Sequence, residues 1–172
     1  MEIQQRWKKD IIIVKLIPHN LPTVGNREVE ATKSAILSNN LSTGKIVDIF
    51  ETNLADKLGI EKKNIIAVNS GSAALFLILK IFYSPNSTIA MPCYSCSSIY
   101  QAIKLAGHKP LFFDVHANSV EFDFPEDDLY DAIVVPHLFG LPCSLRDIPR
   151  HKCIEDVCQA FGAISNNKFV GS

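Results

Sequence analysis

The stretch Ile65-Ile66-Ala67-Val68-Asn69-Ser70-Gly71-Ser72-Ala73-Ala74-Leu75-Phe76-Leu77 decides the fold, because its character changes in the middle. The run from Asn64 to Asn69 is β-rich. Ser70-Gly71-Ser72 interrupts it, and the apolar residues from Ala73 to Tyr83 read as a buried helix. This order predicts a turn at the carboxyl end of a strand, with Ser72 at or near the helix N-cap.

The same alternation continues outward. Thr88–Met91 reads as a strand ended by Pro92, Ser95–Ala106 as a helix closed by Gly107, and Pro110–Val115 as a strand. His116–Tyr130 is polar and acidic, with Pro125 inside it. Ala132–Val135 reads as a strand stopping at Pro136, Ser144–Ile148 as a short helical turn, and Lys152–Glu155 as the start of a last strand. Upstream, Arg27–Leu37 carries Val29, Ala31, Ile36 and Leu37 at helical spacing, and Leu41-Ser42-Thr43-Gly44 is a turn. Ile46–Leu58 is a second helix, stopped by Gly59. Strands that are continuously apolar and alternate with helices imply an α/β fold, a mostly parallel sheet with helices on both faces.

Composition narrows the function classes. The 172 residues are 47% hydrophobic and 20% charged, which suits one globular domain of ordinary size. Seventeen Lys and Arg against 18 Asp and Glu leave a formal charge of −1, so nothing draws the chain to nucleic acid or an anionic membrane. The longest apolar run, Ala73–Leu79, is cut by Lys80, far short of the ~20 residues a bilayer needs. Arg6, Lys8 and Lys9 ahead of Ile11–Val14 look superficially like a signal peptide, but Lys15 breaks the run and no small-residue cleavage site follows. The expected location is the cytoplasm. Five cysteines, an odd number, argue against a disulfide framework. Cys93-x-x-Cys96 and Cys153-x4-Cys158 raise zinc or redox chemistry, but the second spacing matches common zinc pairs poorly. The cysteines are read as packing thiols, and no metal is expected.

In open α/β sheets ligands collect at the carboxyl ends of strands, which singles out three places. Ser70-Gly71-Ser72 lets backbone N–H groups approach a phosphate at a helix N-terminus, or is a plain connection. Asp156, after Cys153-Ile154-Glu155, is suited to cap a helix, hold a metal or pair with a cation, and Gln159 shares its helical face. His137, after Val134-Val135-Pro136, is a lone strand-end histidine, a type more often structural than catalytic.

These strand ends belong to a longer ordered set. It comprises Ile17-Pro18 with Pro22 and Gly25, Leu41-Ser42-Thr43-Gly44, Asn69-Ser70-Gly71-Ser72-Ala73-Ala74-Leu75 and Pro92-Cys93-Tyr94-Ser95-Cys96. Ala106-Gly107-His108-Lys109-Pro110 through Asp114-Val115 follows, then His137-Leu138-Phe139-Gly140-Leu141-Pro142. Ile154-Glu155-Asp156-Val157-Cys158-Gln159-Ala160-Phe161-Gly162-Ala163 and Val170-Gly171-Ser172 complete it. In this order and spacing the sequence resembles the DegT/DnrJ/EryC1/StrS family of pyridoxal-phosphate-dependent sugar aminotransferases.

The resemblance implies a fold and a chemistry. The fold would be the front part of an aspartate-aminotransferase-like, fold type I large domain: residues 1–16 an extension, residues 17–172 an incomplete cofactor-binding domain. The rest of that domain and a C-terminal small domain would be absent. Ser72 and Ala73 would hold the phosphate of pyridoxal 5'-phosphate. Asp156 would face the pyridine nitrogen, Gln159 the ring's oxygen side, and Cys96 the ring face, where many relatives carry an aromatic residue. His137 would stand at the active-site or substrate edge. Phe161 replaces a histidine seen in many relatives. The family's Schiff-base lysine lies after Val-Gly-Ser, so this chain would stop short of it and be inactive alone. The parent enzyme would be a homodimer moving an amino group from glutamate to a nucleotide-linked keto-sugar, for surface polysaccharide or amino-sugar biosynthesis. Alternative readings are an inactive truncated remnant, a non-enzymatic binding module on the same fold, and a thiol protein using Cys93 and Cys96.

Overall fold

Four parallel strands form the sheet, in the order β2-β1-β3-β4. The computed structural model describes residues 20–172 apart from residues 118 and 120. The expected 1–16 extension and the Ile17-Pro18 match lie outside the described residues. In chain order the elements are α1 (Asn26–Leu37), α2 (Lys45–Leu58), α3 (Gly71–Phe82), β1 (Thr88–Pro92), α4 (Ser97–Ala106) and β2 (Lys109–Phe113). Then come β3 (Ala132–Pro136), β4 (Cys153–Asp156) and a small hairpin of β5 (Ile164–Ser165) and β6 (Lys168–Phe169). The chain divides into two compact units between Ile46 and Val47; α1 lies in the first, the sheet in the second.

β3 is buried along its whole length, which explains its unbroken Ala-Ile-Val-Val composition. Alternation along the strands sorts side chains to two cores. Ile89, Met91 and Val134 pack with Leu75 and Leu79 of α3 and Ile99 and Ile103 of α4. Ala90, Ile133 and Val135 pack on the other side with Phe113, Phe122, Tyr130 and Leu138. There Phe113 meets Phe122 edge-on at 5.7 Å between ring centroids. Gly107 ends α4 at φ +88°, a left-handed conformation that glycine adopts without strain. The next residue, buried His108, ties α4 to α3 through Nε2 and the Leu79 carbonyl at 3.0 Å.

The connections set up the site. From β1 the chain moves outward to β2, then returns past β1 to β3 and on to β4. The direction therefore reverses between β1 and β3, and a crevice opens there at the carboxyl ends.

One sequence expectation is corrected and two are refined. Ile65–Val68 is no strand: the backbone is extended at Ile65, but among the described residues no strand lies beside it. The Ala67 amide instead donates to Glu51 Oε1 at 2.9 Å. β composition favours extension, whereas a ladder also needs a neighbour. Ser144–Ile148 makes the expected short turn, closed by the Ile148 amide on the Leu145 carbonyl. Helix α3 begins at Gly71 and is capped by Ser70, so Ser72, expected at or near the N-cap, is the second residue of the helix. Among the described residues no helix is long and apolar enough to cross a membrane.

Candidate active site

Ser70 adopts an extended conformation and its side chain accepts from the Ala73 amide at 3.1 Å. This satisfies one of the orphan donors of the first turn. The Ala74 amide bonds the Ser70 carbonyl. Gly71 and Ser72 therefore carry the amides of α3 that have no acceptor within the helix, and both residues line a cavity of about 280 Å³. Ala73 is spent on the cap and does not line it.

The same cavity receives residues from the ends of β1, β3 and β4: Cys96, His137, Asp156 and Gln159. Five of the six residues singled out from the sequence thus meet in one place, although they span 88 positions from Ser72 to Gln159, counted inclusively. The register explains this, because Pro136 lies opposite Asp156 and parallel strands bring their carboxyl ends to one edge. Asp156 Oδ1 accepts from the Cys158 amide at 3.0 Å, a short local turn that fixes the carboxylate. Gln159 Oε1 accepts from the Phe139 amide at 3.0 Å and joins the loops that follow β4 and β3. Phe139 sits at φ +57°, a conformation rare for a bulky residue.

His137 is buried, and both ring nitrogens are engaged within the fold. Nδ1 accepts from the Cys143 amide at 2.9 Å, so Nε2 carries the proton and donates to Glu155 Oε2 at 3.0 Å. That hydrogen bond, with help from the Gly171 amide, holds the Glu155 carboxyl below its usual range. His137 forms part of the cavity wall, but its ring is not free for proton transfer.

The cysteines are not uniformly packing thiols. Cys143 is buried, whereas Cys93, Cys96 and Cys158 are exposed. Ser98 Oγ donates to Cys96 Sγ at 3.1 Å, and this hydrogen bond lowers the Cys96 thiol pKa. The Asp156 carboxylate and burial push Cys158 up to about 11. Cys158 was not expected in the cavity wall, and Gly71 only as part of the Ser70-Gly71-Ser72 turn. A Cβ at Gly71 would stand 3.3 Å from Cys158 Sγ, so the cradle wall is close-packed there. Nothing in the spacing of positions 71 and 158 reveals that contact.

Chemically, the cavity offers helix-end amides and a hydroxyl suited to an anion, and a fixed carboxylate suited to an N–H cation. The model of the DegT/DnrJ/EryC1/StrS aminotransferase family matches residues 22–172. The chain belongs to this family. It is 33% identical over 168 residues to the spore coat polysaccharide biosynthesis protein SpsC of Bacillus subtilis, covering 91% of this chain and 43% of that protein. It is 26% identical over 172 residues to GDP-perosamine synthase of Escherichia coli O157:H7, covering 92% and 47%. The family chain therefore spans about half the length of these curated relatives. Among solved structures, E. coli GDP-4-keto-6-deoxy-D-mannose-3-dehydratase with bound hydrated PLP superposes with a TM-score of 0.77 at 27% identity, over 89% of this chain and 43% of that one.

Proposed function

We propose that these residues form the phosphate- and ring-nitrogen-binding part of a pyridoxal-phosphate-dependent enzyme that aminates a nucleotide-linked keto-sugar, with glutamate as amino donor. The observation that carries this reading is the single cavity in which the α3 N-terminus and the Asp156 carboxylate share the lining. The donor set fits the cofactor. The amides of Gly71 and Ser72 and the Ser72 hydroxyl would hold the phosphate, helped by the helix dipole. Asp156 would keep the pyridine nitrogen protonated, its own position held by the Cys158 amide. Gln159 would approach the ring's oxygen side, Cys96 the ring face and His137 the edge of the pocket. When bound, the cofactor acts as an electron sink for bonds at the substrate's amine-bearing carbon. The α3 amides need no reorganisation to meet the dianion, because their direction is set by the helix.

Among the described residues no lysine lines the cavity. In this reading the amine that attaches cofactor and shuttles the proton comes from outside these residues, and the chain alone does not transaminate. The relatives' names support the substrate class: they include GDP-perosamine synthase and dTDP-3-amino-3,6-dideoxy-alpha-D-galactopyranose transaminase. A cytoplasmic location and a homodimer are part of the same proposal, the dimer supported by the exposed apolar residues Ile49, Phe50, Ile81 and Phe82.

The test is to dialyse the chain against pyridoxal phosphate, reduce with borohydride and map the label. Saturable binding that leaves no single lysine stoichiometrically marked is expected. Stoichiometric marking of one lysine, with amino transfer from glutamate to a keto-sugar nucleotide, would refute the assignment of the amine. Absence of saturable binding would refute the cofactor site.

A further inference from the structure

We infer that Glu155 is a positioning residue for Asp156, acting through a buried hydrogen-bond relay from Cys143 through His137. The inference rests on the cofactor reading above. Neighbours on a strand point to opposite faces. Asp156 lines the cofactor cavity, while Glu155 lines a different cavity of about 580 Å³ together with Cys143 and Arg150. Its carboxylate does not line the cofactor cavity, yet it ties two other segments to β4. Oε2 accepts from His137 Nε2 at 3.0 Å and from the Gly171 amide at 3.1 Å. His137 in turn accepts the Cys143 amide at 2.9 Å and so closes the loop from 137 to 143.

That loop carries two ties to the β4 end. The His137 amide donates to the Asp156 carbonyl at 3.0 Å, and the Phe139 amide donates to Gln159 Oε1 at 3.0 Å. His137 is 1% exposed. Removing its acceptor strands a buried N–H, which the fold relieves by moving the ring and with it the loop. The end of β4 then loses two of the contacts that fix Asp156 relative to the α3 N-terminus. Glu155 needs two accepting positions at the right reach for this, not a charge at the cofactor.

The experiment uses the full chain and 4'-deoxypyridoxine 5'-phosphate, a cofactor analogue without the aldehyde, whose absorbance reports protonation of the ring nitrogen. Bound to the unaltered chain, the nitrogen should stay protonated to higher pH than in free solution, and Asp156→Asn should abolish that shift. Glu155→Ala should reduce the ring's protonation constant by about tenfold, one pKa unit, whereas Glu155→Gln, which keeps an accepting oxygen at the same reach, should retain it. A folded Glu155→Ala chain with the full shift would overturn the inference, as would a Gln variant as impaired as Ala. Should Glu155→Ala not fold, Glu155→Asp decides: one methylene shorter, it should lose the shift, and an undiminished shift would overturn the inference. If the unaltered chain shows no shift, or Asp156→Asn leaves it intact, the cofactor reading falls and this inference with it.

Discussion

Gly71 shows how narrowly the cavity is set at the level of single residues. A methyl group there meets Cys158 Sγ at 3.3 Å, so the Cys158 side chain or the α3 N-terminus must give by a few tenths of an ångström. Gly71→Ala should weaken pyridoxal phosphate binding roughly tenfold, and Cys158→Ala in the same chain should recover most of it, since the clash is pairwise. Titration calorimetry of both variants checks this; additive losses would count against it. Glu155 gives a pH prediction. Its folded pKa lies below its ordinary value, so its stabilisation is present above the unfolded value and is lost as pH falls through the folded one. Urea midpoints of Glu155→Gln should therefore fall less than those of the unaltered chain between pH 6 and about pH 3. Much of the site was legible at this scale. Ser72, Asp156, His137 and Gln159 each follow a β run, and each lines the cavity. The roles of Ala73 and His137 were not legible, because both depend on hydrogen-bond partners: Ser70 takes the Ala73 amide, and Cys143 and Glu155 take the His137 ring.

Among elements, α3 is the one on which the site depends. Ser70-Gly71-Ser72 holds three residues acceptable as N-cap, and composition cannot choose among them. The backbone chooses: Ser70 is extended, at φ −163° and ψ 158°, and its side chain faces the Ala73 amide. Ser70→Ala should cost about 1 kcal/mol of stability in chemical denaturation, and Ser72→Ala much less. The reverse ranking would move the cap to Ser72. The strand ends were readable because Pro92 and Pro136 close β1 and β3, and the strand boundaries moved by no more than two residues. Ile65–Val68 was misread because strand pairing is a property of two segments. The β5–β6 hairpin went unseen in the sequence. Its turn is Asn166-Asn167, both at positive φ, a geometry that asparagine tolerates but that Gly marks more clearly. On the core side of the same helix, Leu79 is fully buried between α4 and the sheet. Leu79→Ala should cost about 3 kcal/mol and abolish cofactor binding only where the chain also unfolds.

For the whole molecule, the sheet order carries the functional argument. The reversal between β1 and β3 opens a crevice, and the α3 N-terminus and β4 end line it from different parts of the chain. The family match spans residues 22–172, and the chain covers 43% of the Bacillus subtilis relative. Its exposed apolar residues, among them Ile66, Ile81, Phe82 and Leu105, should make the isolated chain self-associate, with sedimentation that depends on concentration. The central claim is that one ligand bridges the α3 N-terminus and the Asp156 end of β4. The most direct measurement is a two-dimensional amide NMR titration of the labelled chain with pyridoxal phosphate. The account predicts that the Gly71 and Ser72 amides shift together with those of Val157 to Gln159, at one common saturation constant. Shifts confined to one of these segments, or lying elsewhere in the chain, would contradict it.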